Sequence, residues 1–80
     1  MQESEIYSKL TDVFHDVFQD DSIVLRPEMT TADVEGWDSF NHIKLIVATE
    51  TRFKIKFKNV ELESLANVGH FVQVIAAKTS

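Results

Sequence analysis

The sequence predicts an all-α fold, a four-helix bundle of three main helices and one short helix with a long first loop. Three observations predict it. Apolar residues recur at steps of three and four through most of the chain, the period of helices buried on one face. A single segment, 52–58, alternates polar and apolar residues, and a lone strand has no partner to complete its ladder. The length of 80 residues, 44 % of them hydrophobic with only two Gly and one Pro, suits one compact core, so residues 1–80 are expected to form a single domain.

The first helix is expected over 4–19. Ile6, Leu10, Val13, Phe14 and Val17 form its apolar stripe, widened by Tyr7 and Phe18. Lys9, Asp12, His15, Asp16 and Gln19 fall on the polar side, and Ser4 is the expected N-cap. Residues 20–38 form the long connection. Ile23, Val24 and Leu25 are expected to pack beneath it, Pro27 forbids a regular helix, and 31–34 suit one helical turn. A second helix is expected from Asp38 or Ser39 to about Phe53. Asp38 is a good cap, and Phe40, Ile43, Ile46, Val47 and Phe53 share one wide arc. After it, an extended loop should bury Ile55 and Phe57. A short helix over 61–65 is anchored by Leu62 and Leu65, and Asn67 caps a final helix carrying Val68, Phe71, Val72 and Ile75. Gly69 is unhelpful inside a helix and tolerable in its first turn.

Composition removes several function classes. Eight Lys and Arg against 13 Asp and Glu give a net charge of −5, which argues against sequence-independent nucleic-acid binding. Without Cys, disulfides, Cys-ligated zinc, iron–sulfur clusters and a cysteine nucleophile are excluded. His15, His42 and His70 lack metal-ligand spacing, so no metal site is expected. The acidic, polar N-terminus is not a signal peptide and no apolar run is long enough to span a bilayer, so a cytoplasmic monomer is expected.

The most informative residues are Gly36-Trp37-Asp38-Ser39-Phe40. A serine at the start of a helix lies exposed in the field of the free N–H groups, which favours an attached phosphate. As a dipeptide alone, Asp38-Ser39 reads first as ordinary capping, since Asp and Ser are the commonest caps. Their setting resembles the acyl carrier protein family, which includes peptidyl carrier domains, over nearly the whole length. An amphipathic first helix and a long loop lead into Gly-x-Asp-Ser-hydrophobic. Leu45-Ile46-Val47-Ala48-Thr49-Glu50, Phe53-Lys54-Ile55 and Asn67-Val68-Gly69 also look like this family.

The resemblance implies a carrier and not an enzyme. Ser39 would receive 4′-phosphopantetheine from coenzyme A through an external, Mg²⁺-dependent phosphopantetheinyl transferase. Asp38 would help that transferase orient metal and substrate and would cap the helix. The arm's thiol would hold acyl or aminoacyl cargo as a thioester, loaded by a ligase or synthase and used by acyl-processing enzymes. Phe40 and Val47 are either partner contacts, as in the family, or ordinary core. Asn41, Lys44 and Arg52 belong to the expected docking side. Trp37 is read as packing over the loop before partner contact, and Glu50 as a partly buried carboxylate hydrogen-bonded to a neighbouring loop.

The chain departs from the family's usual acidic second helix. Asn41, His42, Lys44, Thr51 and Arg52 lie on its exposed side, followed by Lys54, Lys56 and Lys58. The acid gathers instead in the first helix and long loop. This points to a freestanding, specialised carrier of a lipid, polyketide or peptide pathway, whose partners present a less basic or acidic docking surface. The lysines also read as simple solvation of an extended segment. The competing readings are an unmodified helical interaction module with the same fold, a nucleic-acid binder using 52–58, and a Ser39–His42 dyad hydrolysing esters. The last lacks any evident oxyanion hole or orienting group.

Overall fold

The computed structural model describes residues 2–63 and 67–79. Four helices form, α1 (Glu3–Phe18), α2 (Ser39–Phe53), α3 (Asn59–Glu63) and α4 (Val68–Thr79), with a 3-10 turn at Thr31–Asp33 and no strand among the described residues. No helix of the described residues is long and apolar enough to cross a membrane.

The first helix begins one residue earlier than expected. Gln2, with extended backbone, is the N-cap, and its carbonyl accepts the Glu5 and Ile6 N–H groups at 3.1 and 3.0 Å. Ser4 is therefore inside the first turn and is not the cap. Backbone bonding alone closes that turn and sets the register in which Ile6, Leu10, Val13 and Phe14 are buried. The helix stops where Gln19 turns left-handed (φ 54°) and its N–H returns to the His15 carbonyl. Two hydrogen bonds from Ser22 then hold the Asp20 carboxyl below its usual range, the hydroxyl bond being the larger influence.

The long loop is tied down at several points. Ile23 and Leu25 pack against the core, whereas Val24 turns outward at 70 % exposure, a correction to the expected three-residue patch. Successive side chains of an extended segment point to opposite sides, so the middle one cannot follow its neighbours inward. His15 is half-buried and its Nε2 lies 2.9 Å from the Ile23 carbonyl, so it clamps the loop and does not simply line a polar face. Further along, Met29 and Val34 are buried. The Met29 and Pro27 carbonyls accept the Val68 and Gly69 N–H groups, both at 2.9 Å. A Cβ on Gly69 would sit 3.0 Å from the Pro27 oxygen, so this glycine lets the loop backbone press against the start of α4.

The core is closed by Leu45, Ile46 and Phe53 of α2 and by Val68, Phe71, Val72 and Ile75 of α4, packed on the α1 stripe. Thr49 is fully buried and its hydroxyl donates to the Leu45 carbonyl at 2.7 Å. Phe40, Ile43 and Val47 are exposed, so the wide apolar arc expected for this helix is split between core and solvent. After the left-handed Lys54, the expected extended segment forms with Ile55 and Phe57 partly buried. The Glu50 carboxylate accepts the Phe57 N–H at 2.8 Å. Within the described residues the short helix covers Asn59–Glu63, so it starts two residues earlier than the expected 61; Leu62 packs on the core, and the expected end with Leu65 lies outside the described residues. The earlier start follows from Glu61, whose carboxylate caps the Lys58 N–H at 2.7 Å. That bond, followed by the one to Lys78, holds the Glu61 carboxyl below its usual range. Asn67 caps the last helix as expected, its Oδ1 accepting the His70 N–H at 2.8 Å.

Candidate functional site

The site is built where the loop enters α2. Gly36 has φ +86°, a conformation natural to glycine, and its carbonyl accepts the Asp38 N–H at 2.9 Å and the Asn41 side-chain amide at 2.6 Å. This tight reversal delivers Asp38 in extended conformation to the N-cap. There its Oδ1 accepts the Asn41 N–H at 2.8 Å, and its carbonyl accepts the His42 N–H at 2.8 Å.

Ser39 is the first residue of α2 and is exposed. Its hydroxyl makes no hydrogen bond among the described residues, and the N–H groups of Ser39 and Phe40 are likewise not taken up there. A nucleophilic oxygen thus stands open to solvent beside unsatisfied helix donors, an arrangement favourable to a phosphate ester. An open groove runs past it, lined by Thr31, Trp37, Asp38, Ser39, His42 and Ile43. A phosphate-linked arm therefore fits: it has an accessible oxygen, free donors and an unobstructed path.

Trp37 braces the site from behind. Its ring meets Phe14 edge-on at 5.4 Å and Phe18 at 6.0 Å, and lies nearly parallel to the His42 ring at 6.2 Å. The indole N–H donates to His42 Nδ1 at 3.1 Å. With Nδ1 accepting, neutral His42 carries its proton on Nε2, so neither ring nitrogen is a free base for Ser39. Trp37 is indeed packing, and His42 is its partner rather than a merely solvated neighbour. Beside them lies a pocket of about 40 Å³ whose lining includes Thr30, Trp37, His42, Leu45, Asn67 and Phe71, room for a few waters at most. The histidines and acids form no cluster able to hold a metal among the described residues.

The residues expected on the docking side separate. Phe40, Ile43 and Val47 form an exposed stripe, 70, 64 and 56 % accessible, and the Lys44 ammonium lies 5.4 Å over the Phe40 ring. Asn41 instead turns its amide back to the Gly36 carbonyl at 2.6 Å, a second bond beside that from the Asp38 N–H, which ties the reversal to the first turn of the helix. Arg52 faces α1 and pairs with Asp12 at 3.5 Å, since residue 52 lies about 140° around the helix from residue 47. Ile43, which the sequence places on the same wide arc as Ile46 and Phe53, stands on the exposed side of it. The spacing 40, 43, 47 is itself the signal of a second stripe.

No protein-family model matches the chain. It is 31 % identical over 74 residues to the acyl carrier protein of Clostridium acetobutylicum, covering 92 % of this chain and 96 % of that one. It is 27 % identical over 79 residues to that of Acidothermus cellulolyticus, covering 99 % and 94 %. Its fold is similar to the solution structure of the holo acyl carrier protein from Geobacter metallireducens. There the TM-score is 0.86 and the identity 44 %, with 91 % of this chain and 84 % of that one covered.

Proposed function

The chain belongs to the acyl carrier protein family, whose members are carriers rather than enzymes, and we propose that Ser39 is the residue that bears its 4′-phosphopantetheine. The observation that carries this reading is the open, hydrogen-bond-free hydroxyl of Ser39 at the head of α2. When attached, the group supplies the thiol on which acyl or aminoacyl cargo is held as a thioester.

The chain's own residues prepare the attachment. Ser39 Oγ attacks the β-phosphorus of coenzyme A and forms a P–O bond. The pyrophosphate linkage breaks, adenosine 3′,5′-bisphosphate leaves, and the serine proton passes to a base of the phosphopantetheinyl transferase. Asp38 uses one carboxylate oxygen as the helix cap and is exposed enough to present the other to the transferase's Mg²⁺. The free N–H groups of Ser39 and Phe40 at the start of α2 would favour the negative charge of the attached phosphate. The Trp37–His42 pair holds the loop against α1 and keeps the serine outward.

In this reading residues 1–80 act as one carrier domain. It is served by a transferase, a loading ligase or synthase and acyl-processing enzymes of a specialised pathway. The basic second half of the chain supports a role outside housekeeping fatty-acid synthesis. Intact mass tests the assignment. Incubation with coenzyme A, Mg²⁺ and a broad-specificity transferase should add one phosphopantetheine to the parent and none to Ser39→Ala. A folded parent that gains nothing from several transferases overturns it and favours an unmodified interaction module.

A further inference from the structure

We infer that the exposed stripe of α2 docks on proteins whose carrier-binding surface is an apolar hollow rimmed with carboxylates. The inference rests on the carrier reading above and goes beyond it in fixing the partner's surface chemistry.

Two observations converge on it. Phe40, Ile43 and Val47 are large apolar side chains on one solvent-facing stripe at i, i+3 and i+7, the spacing of anchors that enter a groove. Nothing in the described residues covers them. They begin directly beside Ser39, so a protein seated on them has the attachment point at its edge.

The second observation is charge. Residues 39–58 carry five of the eight Lys and Arg and a single carboxylate, Glu50, a net +4. The remaining residues carry three cations and twelve carboxylates, a net −9. Glu50 is itself engaged by the Phe57 N–H. Lys44, Lys54 and Lys56 form no ion pair among the described residues. Lys44 lies over Phe40, and Lys54 and Lys56 share a shallow groove with Val47. The apolar anchors are therefore edged by unpaired cations. A basic partner surface would meet like charge here, whereas an acidic one gains attraction and faster encounter.

The test uses the full chain, first brought to the holo form and checked by intact mass, so that failure of the carrier reading appears before any binding is measured. Fluorescently labelled holo protein is titrated with catalytically inactivated acyltransferases of two sets, one with acidic and one with basic residues around the active-site entrance. The acidic set should bind about tenfold more tightly at low salt, with the gap closing as salt screens the charges. The triple change K44E/K54E/K56E should reverse the preference, and Ile43→Asp should weaken binding to both sets while leaving the thermal midpoint unchanged. Equal binding to both sets, or preference for the basic set, overturns the inference. So does a dimer in sedimentation that Phe40→Ser dissolves, which would make a second copy the occupant. Binding to phosphatidylglycerol vesicles that outcompetes the acidic set would likewise overturn it, in favour of a membrane surface.

Discussion

Ile43 and Ile46 are the same residue on the same helix, one turn apart, and they lie in opposite environments. Ile46 is 8 % accessible and belongs to the buried core; Ile43 is 64 % accessible and faces solvent. The contrast extends to their neighbours. Leu45, Thr49 and Phe53 are covered, while Phe40 and Val47 are not. Hydropathy is similar on both faces, so it cannot be what sorts them. The sorting comes from which side the rest of the chain covers. α1, α4 and the strapped-down loop lie on one side only, and the other is left as a ready-made apolar surface beside Ser39.

If burial is what distinguishes the two faces of α2, trimming the covered one must be costly. Ile46→Ala should lower unfolding free energy by about 2 to 5 kcal/mol, the lost transfer energy plus a cavity. In a domain of this size that is a large share of total stability. Urea denaturation reads it, and a loss below about 1 kcal/mol would mean that the two faces are not energetically distinct.

The next largest effect concerns the segment that closes the end of the covered face. Glu50→Ala removes the carboxylate that accepts the Phe57 N–H, a charge-assisted bond of about 1.5 to 3 kcal/mol. Faster amide exchange at Phe57 should accompany the loss. Exchange that does not change would show that Ile55 and Phe57 hold the segment by packing alone.

Gly69→Ala follows. Helix propensity favours Ala by roughly 0.5 to 1 kcal/mol. The added Cβ, however, meets a backbone carbonyl at 3.0 Å and the Pro27 Cβ at 3.1 Å, and overpacking of this kind costs about 1 to 3 kcal/mol. Because the loop backbone is bonded to α4 at that point it cannot easily retreat, so the expected net is a loss near 1 kcal/mol in thermal unfolding. A gain would show the loop to be more loosely strapped than its two hydrogen bonds suggest.

Most of the site was legible because it is local. The Asp38 cap, the helix start at Ser39, the Asn67 cap and the Glu50 tether to a following loop each rest on residues close in sequence. The fold class followed from period and length. What resisted reading is tertiary. The split of α2 into two stripes depends on where α1 and α4 lie. Arg52 was placed with the docking side because its pairing with Asp12 requires knowing that α1 runs past it. Gly69 looked like an imperfection because its reason, the Pro27 backbone, is 42 positions away. Ser4 was misread because a strong capping residue competed with a backbone bond that needs no side chain.

The smallest effect is the most discriminating. Ile43→Ala removes as many apolar atoms as Ile46→Ala, but it removes them from water rather than from a packed interior. No cavity forms and little transfer energy is lost, since the side chain is already hydrated. Ala is the better helix former by a few tenths of a kcal/mol. The change should therefore be neutral or slightly stabilising, within about 0.5 kcal/mol of the parent. A side chain that can be shortened at no thermodynamic cost to the fold is kept for what it does outside it. A loss above 1 kcal/mol in the isolated chain would return Ile43 to the core and remove the central anchor from the docking stripe. Neutrality in the isolated chain, joined to weaker binding by the acidic-rimmed acyltransferases, would place the whole contribution of Ile43 on the partner's side.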